Sequence, residues 1–152
     1  MISFLGVDLI AIDPSQVGIA WLDFYSIGHL CFGIGTFLFF SLFYTVPKKR
    51  GKVPIFSLLF VFICTVAILI LWEVVENTLF IDLGWKFEDR LDSWQNITSD
   101  IICGMLGGSA SWLFCHEVFV KDKRIWGYYI FGIIGFSIWI VVFIILRDYT
   151  LS

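Results

Sequence analysis

Four stretches of this chain, 21–46, 54–81, 94–115 and 125–146, are apolar over about the 20 residues that a helix needs to cross the hydrocarbon of a bilayer. The runs are continuous instead of alternating, which selects helices over barrel strands. In lipid only those two structures satisfy every backbone N–H and C=O. Apolar residues make up 59% of the 152, more than a soluble domain of this length can hide. The expected fold is all-α: a polytopic integral membrane four-helix bundle, one transmembrane domain over 1–152. "DPSQ", with Asp13 as cap and Pro14 in the first position, predicts a short interfacial helix before the first span. The start, "MISFLGVDLIAIDPS", has neither a basic n-region nor a small-residue cleavage site, so no signal peptide is expected.

Orientation is read from the cations. Lys48, Lys49, Arg50 and Lys52 follow the first span, and Lys121, Lys123 and Arg124 follow the third, which puts seven of the ten basic residues on one side. Only Lys86, Arg90 and Arg147 lie on the other. The positive-inside rule then places the chain in the cell membrane with both termini and the 82–93 loop outside. Trp72, Trp85 and Trp94 fit an outer aromatic belt, and Trp126, Tyr128 and Tyr129 an inner one. A net charge of −3 argues against nucleic acid as a partner. Cys31, Cys64, Cys103 and Cys115 have no metal-ligand spacing and read as buried apolar residues.

The polar residues inside the spans are not scattered. At 1.5 Å per residue, His29 lies about 27 Å above the basic end of the first span, Glu73 about 28 Å up the second and Asp100 roughly 24 Å up the third. That common height is the outer edge of the roughly 30 Å hydrocarbon layer. The faces agree as well. Glu73, Glu76 and Asn77 share one helix face by i, i+3, i+4 spacing. Tyr25, His29 and Gly33 form an i, i+4 stripe on the first span; Asn96, Asp100, Gly104 and Gly108 form one on the third. Glycine below the polar group lets neighbouring helices approach, and Gly104–Gly108 is a GxxxG pair. A polar cluster between the first three spans is therefore expected, opening outward.

Ionisable residues inside a membrane are a functional hypothesis by default. Three acids at one height repel one another, and a bound cation, shared protons or salt bridges to Lys86 or Arg90 would relieve that. The blander alternative reads Lys86, Arg90 and Asp92 as solvated loop charges and the cluster as helix-packing glue. His29, Glu73, Glu76 and Asp100 together offer hard oxygen ligands and one imidazole, a set that suits a divalent cation such as Mg, Mn or Zn. Such a cation could hold a lipid phosphate or activate water, with Asn77, Ser93 and Asn96 orienting the ligand and Arg90 neutralising its phosphate. No nucleophile–base pair, phosphate loop or HExxH motif is present, so whether the chain is an enzyme stays open. Proton or ion movement is a weaker reading, because Ser41, Cys64 and Thr65 make a poor second station. The fourth span has no ionisable residue and reads as packing toward lipid or toward other membrane subunits.

Three motifs carry a resemblance. "DFYSIGHLCFG" (Asp23 to Gly33) resembles the D-x-Y-S-x-x-H-x-x-H-G segment of the DUF2585 (UPF0314) membrane proteins. "WEVVENTLFI" (Trp72 to Ile81) resembles their W-E-x-x-E-N-x-x-x-I segment, and "DSWQNITSD" (Asp92 to Asp100) their G-D-S-x-x-N-S-x-x-D segment. More distantly, the order of His, acid, then Arg and Asp before a glycine-rich helix is similar to VanZ-like membrane proteins. The resemblance spans about residues 20 to 115. It implies that Asp23, Tyr25, Ser26, His29, Glu73, Glu76, Asn77, Asp92, Ser93, Asn96 and Asp100 form the family's polar set, with a VanZ-like role in the cell envelope. Phe32 stands where that family has a second histidine, and Leu91 where it has a glycine.

Overall fold

In the computed structural model, which describes residues 3–86, 89–121 and 125–151, four helices are long and apolar enough to cross a membrane. Lys123 and Arg124, part of the basic-loop reading, lie outside the described residues. Helix α1 runs Tyr25–Lys49, α2 Leu58–Glu76, the single turn α3 Leu79–Asp82, α4 Trp94–Val120 and α5 Ile125–Leu151. Strands β1 (Ser3–Phe4) and β2 (Val7–Asp8) form a small antiparallel hairpin. Where the sequence predicts an interfacial helix there is a three-residue 3-10 turn, Pro14–Gln16. Its N-terminus is capped as expected: Ser15 N donates to Asp13 Oδ1 at 2.9 Å, and the Gln16 side chain accepts from Asp13 N at 3.2 Å.

The helix ends follow local chemistry. The first span is not helical from Trp21; it starts at Tyr25, whose N–H donates to Asp23 Oδ1 at 2.8 Å, while Asp23 N donates back to Ser26 Oγ at 3.1 Å. It then continues through Pro47, which lacks the N–H that Phe43 O needs. Ile55 N from the following loop supplies that bond at 3.0 Å, so the proline does not break the helix. Ser57 caps α2 through Phe60 N, and Ser93 caps α4 through Asn96 N. The second span breaks at Asn77 and Thr78 before the α3 turn.

Helix α1 is central and packs against α2, α4 and α5. It lies parallel to α4, because the intervening α2 returns to the starting end. Glycine makes the α1–α4 contact possible: a Cβ at Gly33 would sit 1.9 Å from Gly104 O, and one at Gly107 would sit 2.0 Å from Leu30 O. The α1–α5 contact uses the same device, with Gly35 against Phe136 and Gly132 against Leu38. The hydrophobic core sits toward the basic end, around Phe37, Val61, Cys115 and Tyr128.

Two belt assignments need correction. Tyr128 is fully buried, its hydroxyl 2.6 Å from that of Ser41, so it is a core residue. Trp72 packs inside the bundle between Phe32, Phe80 and Trp139, with ring centroids 5.1–5.5 Å away. Trp85, Trp94 and Trp126 are exposed. The four cysteines are unpaired, Cys31 and Cys115 buried and the other two partly so.

The glycine seam gives a direct test. Gly107→Leu must push α1 and α4 apart and is expected to destabilise the bundle by about 1–3 kcal/mol or more. Gly127→Ala, whose new Cβ would meet nothing nearer than Phe114 at 3.9 Å, should leave stability unchanged or slightly raised. Unfolding curves in detergent compare the two.

Candidate functional site

The close α1–α4 approach and the adjoining α2 enclose one imidazole among carboxylates. His29 Nδ1 lies 3.3 Å from Glu73 Oε1; its Nε2 lies 3.6 Å from Asp100 Oδ2 and 3.8 Å from Glu76 Oε2. All four residues are buried: His29 is 6% exposed, Glu73 5%, Glu76 9% and Asp100 3%. Ser26 Oγ, one turn before His29 on α1, donates to Asp100 Oδ1 at 2.7 Å. One ligand atom each from His29, Glu73 and Asp100 fit within 4.8 Å of one another.

The carboxylates are incompletely satisfied. Glu73 Oε1 and Glu76 Oε2 are buried and accept no hydrogen bond. The 3.3 Å separation of Glu73 from His29 is close enough for strong attraction, but the ring N–H does not point at the oxygen as a hydrogen bond requires. A neutral imidazole has one N–H and one lone pair. In this setting the lone pair would face a carboxylate, an arrangement that repels unless a proton or a cation lies between them.

Above the cluster, toward the 83–93 loop, the charges are paired. Lys86 is 8% exposed; its Nζ lies 3.1 Å from Glu76 Oε1 and hydrogen-bonds Asp92 Oδ2. The reading of Lys86 and Asp92 as solvated loop charges is therefore corrected: both side chains are folded inward over Glu76. Burial alone would lower the Lys86 pKa, but the attraction of Glu76 and Asp92 and the hydrogen bonds to both outweigh it, leaving the pKa above the ordinary 10.5. Burial pushes Asp92 above its ordinary value against the pull of Lys86 and the hydrogen bond from Asn77.

The remaining residues of the polar set build the cap over this cluster. Asn77 bridges the α2 terminus and the loop: Nδ2 donates to Glu73 O at 3.1 Å, and Oδ1 accepts from Asp92 N at 2.9 Å. Asp23 Oδ2 accepts from Gly18 N at 2.9 Å and from Asn96 Nδ2 at 3.2 Å, and the same Asn96 amide donates to Ala20 O. Ser93 donates from Oγ to Ile19 O at 2.8 Å. Arg90 donates to the carbonyls of Ser15 and Val17. Tyr25 lines the cavity beneath. Asn77, Ser93 and Asn96, expected to orient a ligand, and Arg90, expected to neutralise its phosphate, all hydrogen-bond backbone groups here. Gly18, at φ +73°, passes Asp92 so closely that a Cβ would meet Oδ1 at 2.5 Å.

Two contributors were not singled out as cluster members from the sequence. Ser99 donates to Trp21 O and Asn96 O, pinning the entry to α1. Gly107 makes a closer approach to α1 than the Gly108 of the GxxxG pair, which instead faces Thr65 of α2. Gly107 lies three residues beyond Gly104, the i, i+3 partner of the same stripe, and that spacing was a usable signal. Phe32 faces the aromatic seam, with its ring 4.8 Å from Trp139.

The enclosed cavity has a volume of about 30 Å³ and is lined by Asp23, Glu76, Lys86, Asp92, Asn96 and Asp100 among others. That is room for one or two waters, far less than a sugar or lipid headgroup needs. The cavity reaches Glu76 and Asp100 of the cluster but is not lined by His29 or Glu73.

Lys86→Met would leave Glu76 and Asp92 facing each other without compensation. A loss of about 3–5 kcal/mol is expected, and adding Asp92→Asn should recover part of it. Because the folded-state pKa of Lys86 is raised, its stabilisation is complete below pH 10.5 and is lost as pH rises through the folded value. Wild-type protein should thus show an alkaline loss of stability above pH 10.5 that Lys86→Met lacks, read from unfolding curves in detergent.

No family model matches the chain, and no curated protein and no solved structure is significantly similar to it.

Proposed function

We propose that this chain is a multi-pass cell-membrane protein whose His29–Glu73–Glu76–Asp100 cluster binds a divalent cation at the outward-facing end, both termini lying outside. The observation that carries this reading is the pair of buried carboxylate oxygens, Glu73 Oε1 and Glu76 Oε2, that accept no hydrogen bond beside an imidazole. Among the described residues, five carboxyl groups (Asp23, Glu73, Glu76, Asp92 and Asp100) are gathered with His29, Lys86 and Arg90, a donor set rich in oxygen that a divalent ion would suit. Ligands on opposite sides of an ion bound at about 2.1 Å are roughly 4.2 Å apart. Neighbouring ligands stand closer, about 3.0–3.4 Å apart, so an ion would draw together the donor atoms of His29, Glu73 and Asp100, which lie within 4.8 Å of one another. Carboxylates with one imidazole favour Mn or Zn, with Mg next.

The cation's role, in this reading, is to hold a lipid-linked or envelope ligand through its phosphate or carboxylate, in line with the VanZ-like resemblance. Access by such a ligand requires the cap to open, since the cavity beside the cluster has room for only one or two waters. Arg90 and Lys86, released from their present partners, would then be the cations nearest an anionic ligand.

A second reading has its own observation. The ion pairs of Lys86 with Glu76 and Asp92, and the many side chains that hold backbone, suit an accessory subunit whose cluster only fixes helix packing. The two readings part on metal content. Purified protein stripped with chelator and reloaded with Mn or Zn should bind one equivalent, and Glu73→Gln or Asp100→Asn should abolish it while the bundle remains folded. Ser26→Ala, which removes only the hydrogen bond behind Asp100, should weaken binding 10–100-fold. Absence of bound metal in folded wild-type protein would leave the packing role.

A further inference from the structure

Helices α2 and α5 stand apart over α1 at the end opposite the cluster, leaving a groove that opens sideways toward lipid. Its deeper part, about 530 Å³, has Gly35 in its floor and Phe39, Ile68, Ile133 and Phe136 along its sides. A second part, about 470 Å³, continues from it through the shared residues Leu42 and Tyr129 and ends at Val46, Lys49, Arg50 and Trp126. From Gly35 to Val46 is roughly 16 Å of helix at 1.5 Å per residue. One leaflet of a hydrocarbon layer of about 30 Å has that depth.

The mouth differs from the groove in charge. Lys49 and Arg50 are exposed there, and among the described residues no carboxylate pairs with either. Lys48 is different: it turns to the other side of α1, with Nζ 2.5 Å from the Tyr44 hydroxyl and 5.7 Å from the centre of the Phe119 ring. Lys121 is paired with Glu117. The basic residues of this end are thus sorted: Lys49 and Arg50 stand at the groove's mouth, while Lys52, exposed and equally without a carboxylate partner among the described residues, does not line it. Trp126, 71% exposed beside them, belongs at the headgroup level of a bilayer.

We propose that this groove is a binding site for one anionic phospholipid of the adjoining leaflet. An acyl chain would lie along α1 from Leu42 toward Gly35. The phosphate and its anionic headgroup would be held by Lys49 and Arg50. Gly35 and Thr36 lower the floor enough for a chain to enter, and the α1–α5 glycine contacts keep the walls in place. A zwitterionic lipid fits the apolar part equally well, but its own ammonium competes with the two side-chain cations, so the selection is for net negative charge.

The test is native mass spectrometry of purified protein titrated with dioleoyl phosphatidylglycerol or dioleoyl phosphatidylcholine. Wild-type protein should retain one phosphatidylglycerol at least tenfold better than phosphatidylcholine. Lys49→Ala with Arg50→Ala should lower that retention on the order of tenfold or more. Lys48→Ala with Lys52→Ala, an equal loss of charge away from the groove, should leave it unchanged. Ile133→Trp, which fills the apolar part, should reduce retention of both lipids. Equal loss in the two double variants would overturn the proposal in favour of general charge attraction. So would a lipid-free dimer that Ile133→Trp dissociates, which would assign the groove to a second copy of the chain.

Discussion

The contact of Gly33 with Gly104 sets the register on which the polar end depends. The two helices run parallel, and His29 and Asp100 each lie four residues before their glycine. When Gly33 meets the Gly104 carbonyl, His29 is brought to 3.6 Å from Asp100 one turn higher. A side chain at Gly33 would push α1 away from α4 and separate the imidazole from the carboxylate, whereas one at Gly104 would meet the Leu69 side chain of α2. Gly104 faces α2 as well, where Leu69 fills the space next to it. Leu69 lies one turn before Glu73 on α2, so the same glycine brings Glu73 up to the imidazole. One small-residue seam thus assembles donors from three helices. Since lipid supplies no hydrophobic drive between helices, such close packing is what holds them.

Much of this was legible in the sequence because helix geometry is rigid. Span lengths follow from apolar runs, and the four long helices appear where the runs are. Rise per residue puts His29, Glu73 and Asp100 at one height, and the i, i+4 stripes give each a face. What was not legible depends on neighbours that only the fold supplies. Tyr128 looks like a belt residue until Ser41 on α1 meets its hydroxyl. Lys86 looks like a loop charge until Glu76 at the end of α2 meets its buried ammonium. Pro47 looks like a helix end until Ile55 donates to the carbonyl it leaves open. In each case a residue's local preference is overridden by one partner distant in sequence.

The polar residues divide into two groups with different physical roles. Asp23, Asn77, Ser93, Asn96 and Arg90 hydrogen-bond backbone groups of the cap, and their polar atoms are largely satisfied by the fold. Glu73, Glu76, Asp100 and His29 face one another, and one oxygen each of Glu73 and Glu76 is left without a donor. Structural polar networks are normally closed, because each unsatisfied buried group costs about 1–3 kcal/mol. The unpartnered acceptors of Glu73 and Glu76 are thus a cost that apolar residues at the same positions, packing the same helices, would not carry.

The two ends of the bundle treat charge in opposite ways. At the cluster end the acids are enclosed by three helices and roofed by the loops, out of reach of lipid headgroups. At the other end Lys49 and Arg50 stand open at the edge of an apolar groove. Buried anions can interact strongly with a small cation, because the low dielectric weakens screening and the enclosed volume excludes larger ions. Exposed cations at a groove mouth suit a large ligand that brings its own apolar tail and keeps its headgroup wet. Helix α1 supplies residues to both, His29 and Ser26 at one end and Lys49 and Arg50 at the other. The glycine contacts that hold it rigid against α4 and α5 therefore fix both geometries, and a shift of α1 along its axis would have to disturb the two together.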